Sequence, residues 1–274
     1  MESLQSIHKT THLPDEISQF ANARRQSYSV SPLITDLMSQ IDSTNLAYRF
    51  LILSGPSGVG KSSIISLLKS SSTSLSWKLI RRVTTRDRRP HESTDRLAFV
   101  TGREFQHLEE RGALLYSESY GRDLHQYGLA IRDLRSAIET ADANTVLVVV
   151  GTFALTYLLP RSCYVYLLPP SIGELERRVT ASKKPNARRV IAYDTEEIGN
   201  VLSAYESNFV GVRGGSLICN EKGLEADCVS RLEKLVKSGD GLIEIPSSLL
   251  LESASLFVHR TSYEMPRATK VLRR

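Results

Sequence analysis

Leu51-Ile52-Leu53-Ser54-Gly55-Pro56-Ser57-Gly58-Val59-Gly60-Lys61, continued by Ser62-Ser63, carries the spacing G-x-x-x-x-G-K-[ST], with its two glycines at Gly55 and Gly60. An apolar run from Phe50 to Leu53 feeds this stretch, and an apolar-periodic segment (Ile64, Ile65, Leu67, Leu68) leaves it. Strand, glycine-rich turn and helix in that order make a phosphate-binding loop. Glycine lets the backbone wrap close to a phosphate, so that successive N–H groups point inward. The helix that starts there adds its positive end. Lys61 is then expected to reach the β- and γ-phosphates of a nucleoside triphosphate, and the Ser62 hydroxyl to sit on Mg²⁺. The expected nucleotide contacts are Gly55, Pro56, Ser57, Gly58, Val59, Gly60, Lys61, Ser62 and Ser63.

The rest of the chain bounds what can surround this loop. At 274 residues, one sizeable domain with extensions is the default. Hydrophobic and charged fractions of 41% and 24% are those of a globular protein. No run approaches the roughly 18 apolar residues of a membrane span; the longest, Val146 to Val150, has strand length. The first residues, Met1-Glu2-Ser3-Leu4-Gln5, lack the basic cluster and apolar core of a secretory signal. Cys163, Cys219 and Cys228 are few and not at metal-binding spacing, which fits buried thiols in a reducing compartment. These features point to a cytoplasmic location and to no membrane partner. The net charge of +5 accords with phosphate handling. The basic end of the tail (Arg260, Arg267, Lys270, Arg273, Arg274) is short, so nucleic acid is not the expected partner.

Periodicity orders the chain. Residues 1–45 are polar and weakly patterned, with a short helix expected over Leu33, Ile34, Leu37, Met38 and Ile41. From Phe50 onward strand and helix patterns alternate, which argues a parallel sheet with helices on both faces. Strands are expected over Arg49–Ser54, Lys78–Val83, Thr145–Val150, Tyr164–Leu168 and Leu217–Asn220. Helices are expected over Lys61–Lys69, Arg103–Arg111, Ala130–Ala141, Ile172–Thr180, Glu196–Asn208 and Leu224–Lys237. Val146 to Val150 is apolar without alternation, as for a strand covered on both faces. Ser171-Ile172-Gly173-Glu174 reads as a capping box. The apolar stretch Leu242 to Leu251 has to pack somewhere, and lone Trp77 reads as a packing residue.

Arg81, Arg82, Arg86, Arg88 and Arg89 cluster just beyond the second expected strand. Guanidinium groups bind phosphate bidentately and stay charged at any working pH. On composition alone this is either the site of a second anionic substrate or a solvated basic loop.

Order and spacing extend the reading. The loop LSGPSGVGKSS, the V-T-T-R-x-x-R of Val83 to Arg89, the phrase Phe99-Val100-Thr101-Gly102-Arg103-Glu104-Phe105, Tyr127-Gly128, the stretch Pro169-Pro170-Ser171 with Leu175 and Arg178-Val179, and Ile218-Cys219-Asn220 together resemble the guanylate kinase family. The resemblance covers about Phe50 to Lys237. It implies an α/β P-loop NTPase fold with a parallel sheet, a small acceptor-binding subdomain and a lid. It also implies ATP and Mg²⁺ as donor and cofactor, and a small-molecule phosphorylated acceptor. Residues 46–238 would form the kinase domain, with the subdomain at about 81–128 and the lid at about 180–197. Residues 1–45 and 239–274 would be extensions. Arg86 and Arg89 match the arginines that grip the acceptor phosphate. Tyr116, Gln126 and Tyr127 fall where the acceptor is contacted. Lys183, Lys184, Arg188 and Arg189 are the lid cations, Arg188 and Arg189 being expected, with Lys61, to act in catalysis.

The chain also departs from that pattern. Leu97 stands where a tyrosine contacts the acceptor phosphate, Tyr116 near where a glutamate reads guanine, and Gln126 at the first tyrosine of Y-Y-G. Val148-Val149-Val150 replaces an acidic D-x-D, and the arginine after the lid falls on Val201. Glu118 and Asp123 are the carboxylates left nearby. These losses are similar to those of ribose 1,5-bisphosphate kinase-like enzymes, which implies GMP-like nucleotides or ribose bisphosphate-type sugars as acceptors. The competing reading is a non-catalytic interaction module that binds a phosphorylated partner with the same arginines; the intact loop weighs against it.

Overall fold

The computed structural model describes residues 46–249 except 72–73, 90–91, 93, 121–124, 183–186, 207–214, 222 and 242. Five parallel strands form the central sheet in the order β2-β7-β1-β8-β9: β1 (Phe50–Ser54), β2 (Ser76–Leu79), β7 (Thr145–Val150), β8 (Ser162–Leu168) and β9 (Gly215–Cys219). Register pairs Phe50 with Leu147 on one side of β1 and with Ser162 on the other. Alternate side chains leave opposite faces of each strand. One face carries Leu51, Leu53, Val146, Val148, Val165 and Leu167. It packs on Ile64, Ile65 and Leu68 of α1 (Lys61–Ser70) and on Val229, Leu232 and Val236 of α6 (Glu225–Ser238). The opposite face, with Phe50, Ile52, Leu147, Val149, Tyr164 and Tyr166, is equally buried. Phe153 of a short 3-10 turn (Phe153–Tyr157) meets the Tyr164 ring edge-on at 5.2 Å. Burial on both faces accounts for the unalternated apolar run of β7. Trp77 is buried in this core, as expected.

A second sheet, ordered β4-β3-β6-β5, stands beside the first: β3 (Arg82–Thr84), β4 (Leu97–Phe99), β5 (Leu114–Tyr120) and β6 (His125–Ala130). The single strand expected over Lys78–Val83 is in fact two. Ile80 ends the first ladder by donating its N–H to Val148 O at 2.8 Å, and Arg82 starts the second by donating to Arg96 O at 3.1 Å. Pattern reading missed the break because only Ile80 and Arg81 separate the two pieces, with no glycine or proline to mark it. It also missed β4, β5 and β6. The first has three residues, and β5 (LLYSESY) is polar along half its length.

Helix α2 (Gly102–Glu110) opens on a capping box, Thr101 Oγ1 accepting from Glu104 N and Glu104 Oε2 from Thr101 N. At α4 (Ile172–Ala181) only half of the expected box forms. Ser171 Oγ accepts from Glu174 N, but the Glu174 carboxylate turns to Arg177 and Arg178 instead. Charge-assisted bonds outcompete the neutral backbone donor. Helix α3 (Ile131–Glu139) follows β6 directly. Helix α5 (Ala187–Glu206) begins nine residues before the helix expected at Glu196, so Ala187 to Glu197, read in sequence as lid, are helical. The stretch expected to pack, Leu242 to Leu251, does so in part among its described residues: Ile243 is exposed. Glu244 N donates to Leu217 O at 2.9 Å along the edge of β9, and Leu249 is fully buried. Both sequence extensions otherwise lie outside the described residues. No helix among the described residues is long and apolar enough to cross a membrane.

Candidate active site

The loop between β1 and α1 has the geometry its glycines permit. Gly55, Gly58 and Gly60 have φ of 134°, 83° and 102°, in the range that L side chains rarely adopt. Two of them also lack room. A Cβ on Gly55 would lie 2.6 Å from Leu167 O, and one on Gly60 would lie 2.4 Å from Asn220 Nδ2. Asn220, at the end of β9, donates through Nδ2 to Val59 O at 2.7 Å. Arg178 of α4 lies across the same strand end, with Nη1 3.3 Å from Asn220 O and 3.5 Å from Val59 O. Asp194 of α5, almost wholly buried, accepts from Ser57 N at 2.9 Å. Three distant segments therefore hold one loop. Lys61 Nζ donates to the carbonyls of Gly55 and Pro56. This keeps the ammonium over the loop beside the first turn of α1, where Ser62 and Ser63 are exposed.

The loop fits a triphosphate on these observations. Its backbone turns through three glycines at positive φ, packed too closely against Leu167 and Asn220 to admit a Cβ at position 55 or 60, and it opens on a helix N-terminus. Among the described residues no group of three or more His, Cys, Asp or Glu stands together as a metal cage. An ion here would therefore rest on the Ser62 hydroxyl, phosphate oxygens and water, a set of hard oxygen donors suited to Mg²⁺.

A family model described as guanylate kinase matches residues 47–229. The chain belongs to the guanylate kinase family. That family consists of ATP-dependent phosphotransferases using ATP-Mg²⁺ as donor, and the model's parallel α/β sheet with its phosphate loop is the corresponding fold. A guanylate kinase of Mycobacterium sp. (strain MCS) is 39% identical over 137 residues, spanning 48% of this chain and 66% of its own length. One of Aliivibrio fischeri (strain ATCC 700601 / ES114) is 32% identical over 158 residues, 57% of this chain and 74% of its own length. The guanylate kinase crystal structure from Anaplasma phagocytophilum aligns with 70% of this chain and 86% of that one, at 20% identity and a TM-score of 0.48.

Within this guanylate kinase-like chain the arginine cluster lies on the small sheet. Arg86 Nη2 is 2.6 Å from Glu92 Oε1, and its guanidinium lies 5.4 Å from the Phe99 ring centroid. Burial disfavours the Arg86 charge, but bonds to Glu92 and Tyr127 outweigh it and hold its pKa above the ordinary value. Burial likewise works against the Glu92 carboxylate, yet Arg86 and the Arg89 N–H keep its pKa below the usual range. Arg89 is exposed next to them. Gln126 is tied into the sheet by its backbone, donating to Thr85 Oγ1 at 2.9 Å and accepting from Thr85 N at 3.1 Å. Tyr127 lies under the Arg82 guanidinium at 5.4 Å. Tyr116 is buried; its hydroxyl donates to Glu118 Oε2 at 2.7 Å and is 2.8 Å from Thr152 Oγ1. Glu118 Oε1 accepts from Arg82 Nη2 at 2.8 Å. Of the lid cations, Arg188 is exposed on α5 and Arg189 follows it in the same helix. Lys183, Lys184 and Asp123 lie outside the described residues.

Sequence reasoning passed over Asp194 and Arg96, counted Arg82 only as one of the arginine cluster, and used Asn220 and Arg178 only as marks of resemblance. Asn220 stands at the end of a strand, which is the place a parallel sheet puts its ligand contacts. That signal was available. Asp194 carried none, since it lies 137 positions from the N–H it binds. Burial pushes the Cys163 and Cys228 thiols up to about 12, and that of the partly buried Cys219 to about 11.

Proposed function

We propose that this chain transfers the γ-phosphoryl group of ATP to a phosphorylated acceptor that is gripped by its phosphate and not read as guanine. A ribose bisphosphate-type sugar is the acceptor class we favour. The observation that carries this reading is the state of Glu118. It lies two residues from Tyr116, which resemblance places near the guanine-reading position, and Arg82 and the Tyr116 hydroxyl each bond one of its oxygens. Reading guanine needs a carboxylate that accepts from N1–H and the exocyclic amine, and leaving those donors unmatched costs about 1–3 kcal/mol each. Val148–Val150 supplies no acid in their place.

In this reading the loop amides and Lys61 hold the donor phosphates, with Ser62 on Mg²⁺. The ion would neutralise developing phosphate charge. Arg86 and Arg89 hold the acceptor phosphate in line. An acceptor phosphate oxygen forms the new bond to the γ-phosphorus while the bond to the β,γ-bridging oxygen breaks, and ADP leaves with that electron pair. An anionic acceptor needs no general base, so positioning and charge neutralisation supply the rate. Arg188 and Arg189 of α5 add positive charge at the transferred group. The glycines with left-handed φ and the buried props of the loop favour this reading over a non-catalytic phosphopeptide module. Measured ADP release with ATP-Mg²⁺ and GMP, dGMP, AMP, UMP or ribose 1,5-bisphosphate tests it. The sugar bisphosphate should give the highest kcat/KM. A preference for GMP above about a hundredfold would return the acceptor to guanine.

A further inference from the structure

Arg96 belongs to none of the motifs above. Its carbonyl accepts from Arg82 N at 3.1 Å, next to the β3–β4 register pair Arg82 and Leu97, so its backbone is fastened to the small sheet. Its side chain leaves that sheet for the other one. Nη1 donates to Ser62 Oγ at 2.6 Å, on the first turn of α1. The Nε is buried with no hydrogen-bond partner among the described residues. Buried donors are normally paired, and a guanidinium offers five. The charges acting most on Arg96 are one carboxylate, Glu92, and two cations, Arg86 and Arg89. An arginine that served only to tie two sheets together would be expected to end on a carboxylate. This one ends on a neutral hydroxyl.

We propose that Arg96 is a catalytic residue that binds the γ-phosphate of the donor, between the loop and the acceptor phosphate at Arg86 and Arg89. The proposal rests on the kinase reading above. The Ser62 hydroxyl is the group that would hold Mg²⁺ beside the donor phosphates. A guanidinium touching that hydroxyl therefore stands beside the terminal phosphate, whose planar array of oxygens it matches bidentately. Because its backbone moves with the small sheet, Arg96 brings its charge to the transferred group only when that sheet is close to the loop.

The test is calorimetric binding of ATP and of ADP, each with Mg²⁺ and without acceptor, to the full chain and to Arg96→Met and Arg96→Lys. Arg96→Met keeps the stem and removes the charge. It should weaken ATP about tenfold and ADP less than about twofold, with Arg96→Lys recovering part of the loss. Equal losses for the two nucleotides, or no loss, overturn the assignment and leave Arg96 as a strut. If Arg96→Met lowers the melting temperature, Arg96→Lys against wild type carries the same comparison. Wild-type chain that binds neither nucleotide sinks the kinase reading itself. Wild type that binds ATP beside a variant that binds it equally well removes only Arg96.

Discussion

Arg82 Nη2 lies 2.8 Å from Glu118 Oε1, the two side chains 7% and 9% exposed, on strands of the small sheet that are separated by β6. The arginine also donates to Val150 O at 2.8 Å, so the pair links the small sheet to the end of a central strand. Removing one partner leaves the other charge buried and unpaired. Glu118→Leu is predicted to destabilise the fold by about 3–5 kcal/mol, and Arg82→Met with Glu118→Leu to recover much of that. Urea unfolding of the two variants checks this. A single variant within about 1 kcal/mol of wild type would show that water reaches the pair.

Lys61→Ala is predicted to abolish turnover while leaving the fold intact. The Nζ sits on loop carbonyls at the surface of the loop, not in the apolar core. Its loss removes charge from the transferred phosphate, not packing. Far-UV circular dichroism and the ADP-release rate, taken together, decide it. A variant that loses turnover only because it has unfolded contradicts this placement.

Gly60→Ala is predicted to destabilise the chain by about 1–3 kcal/mol and to weaken ATP binding. The new Cβ would meet Asn220 Nδ2 at 2.4 Å and sit at φ 102°. Moving Asn220 aside frees the Val59 carbonyl as well. Thermal unfolding with and without ATP-Mg²⁺ measures both effects; a variant with wild-type stability would mean the loop relaxes easily.

Arg86→Ala is predicted to raise the acceptor KM and lower kcat with little change in ATP affinity. One charge-assisted phosphate contact is worth about 1.5–3 kcal/mol. The substitution also strips Glu92 of its main counter-charge. Steady-state kinetics at fixed ATP, paired with ATP titration, separate the two sites, and an equal fall in both affinities would assign Arg86 to the donor.

Acid should expose the cap of α4. Hydrogen bonds from Arg177 and then Arg178 hold the Glu174 carboxyl at about 2, below its ordinary 4.5. A lowered folded-state pKa contributes stability above the unfolded value and loses it as pH falls toward the folded one. The stability gap between wild type and Glu174→Gln is therefore predicted to shrink as pH falls from about 4.5 toward 2. Unfolding curves across that range that show a widening gap would reject this.

Much of the fold was legible because it is local. Gly55, Gly60 and Lys61 announce a phosphate loop through backbone sterics alone, and the apolar period of Ile64, Ile65 and Leu68 fixes the face of the helix behind it. The unalternated Val146–Val150 run says by itself that its strand is covered on both sides. The small sheet was hard to read for the converse reason. Strands of three residues such as Leu97–Phe99 are shorter than any period, and are held by ladder bonds to residues more than a dozen positions away. The half-formed cap at Ser171 shows the same limit on a finer scale, since two arginines competing for Glu174 are a matter of side-chain geometry.

The site divides along the same line. Sequence alone marked out the phosphate loop, because a Walker loop needs no neighbour to be recognised. Only tertiary structure decided that Glu118 is spent on Arg82 and Tyr116, that Asp194 and Asn220 prop the loop, and that Arg96 reaches Ser62. Apart from Tyr116, two positions from Glu118, each of these is a contact across 34 to 161 positions. Whether a charged side chain is a free ligand or a satisfied partner depends on what folding brings within 3 Å of it, and a linear pattern does not contain that distance.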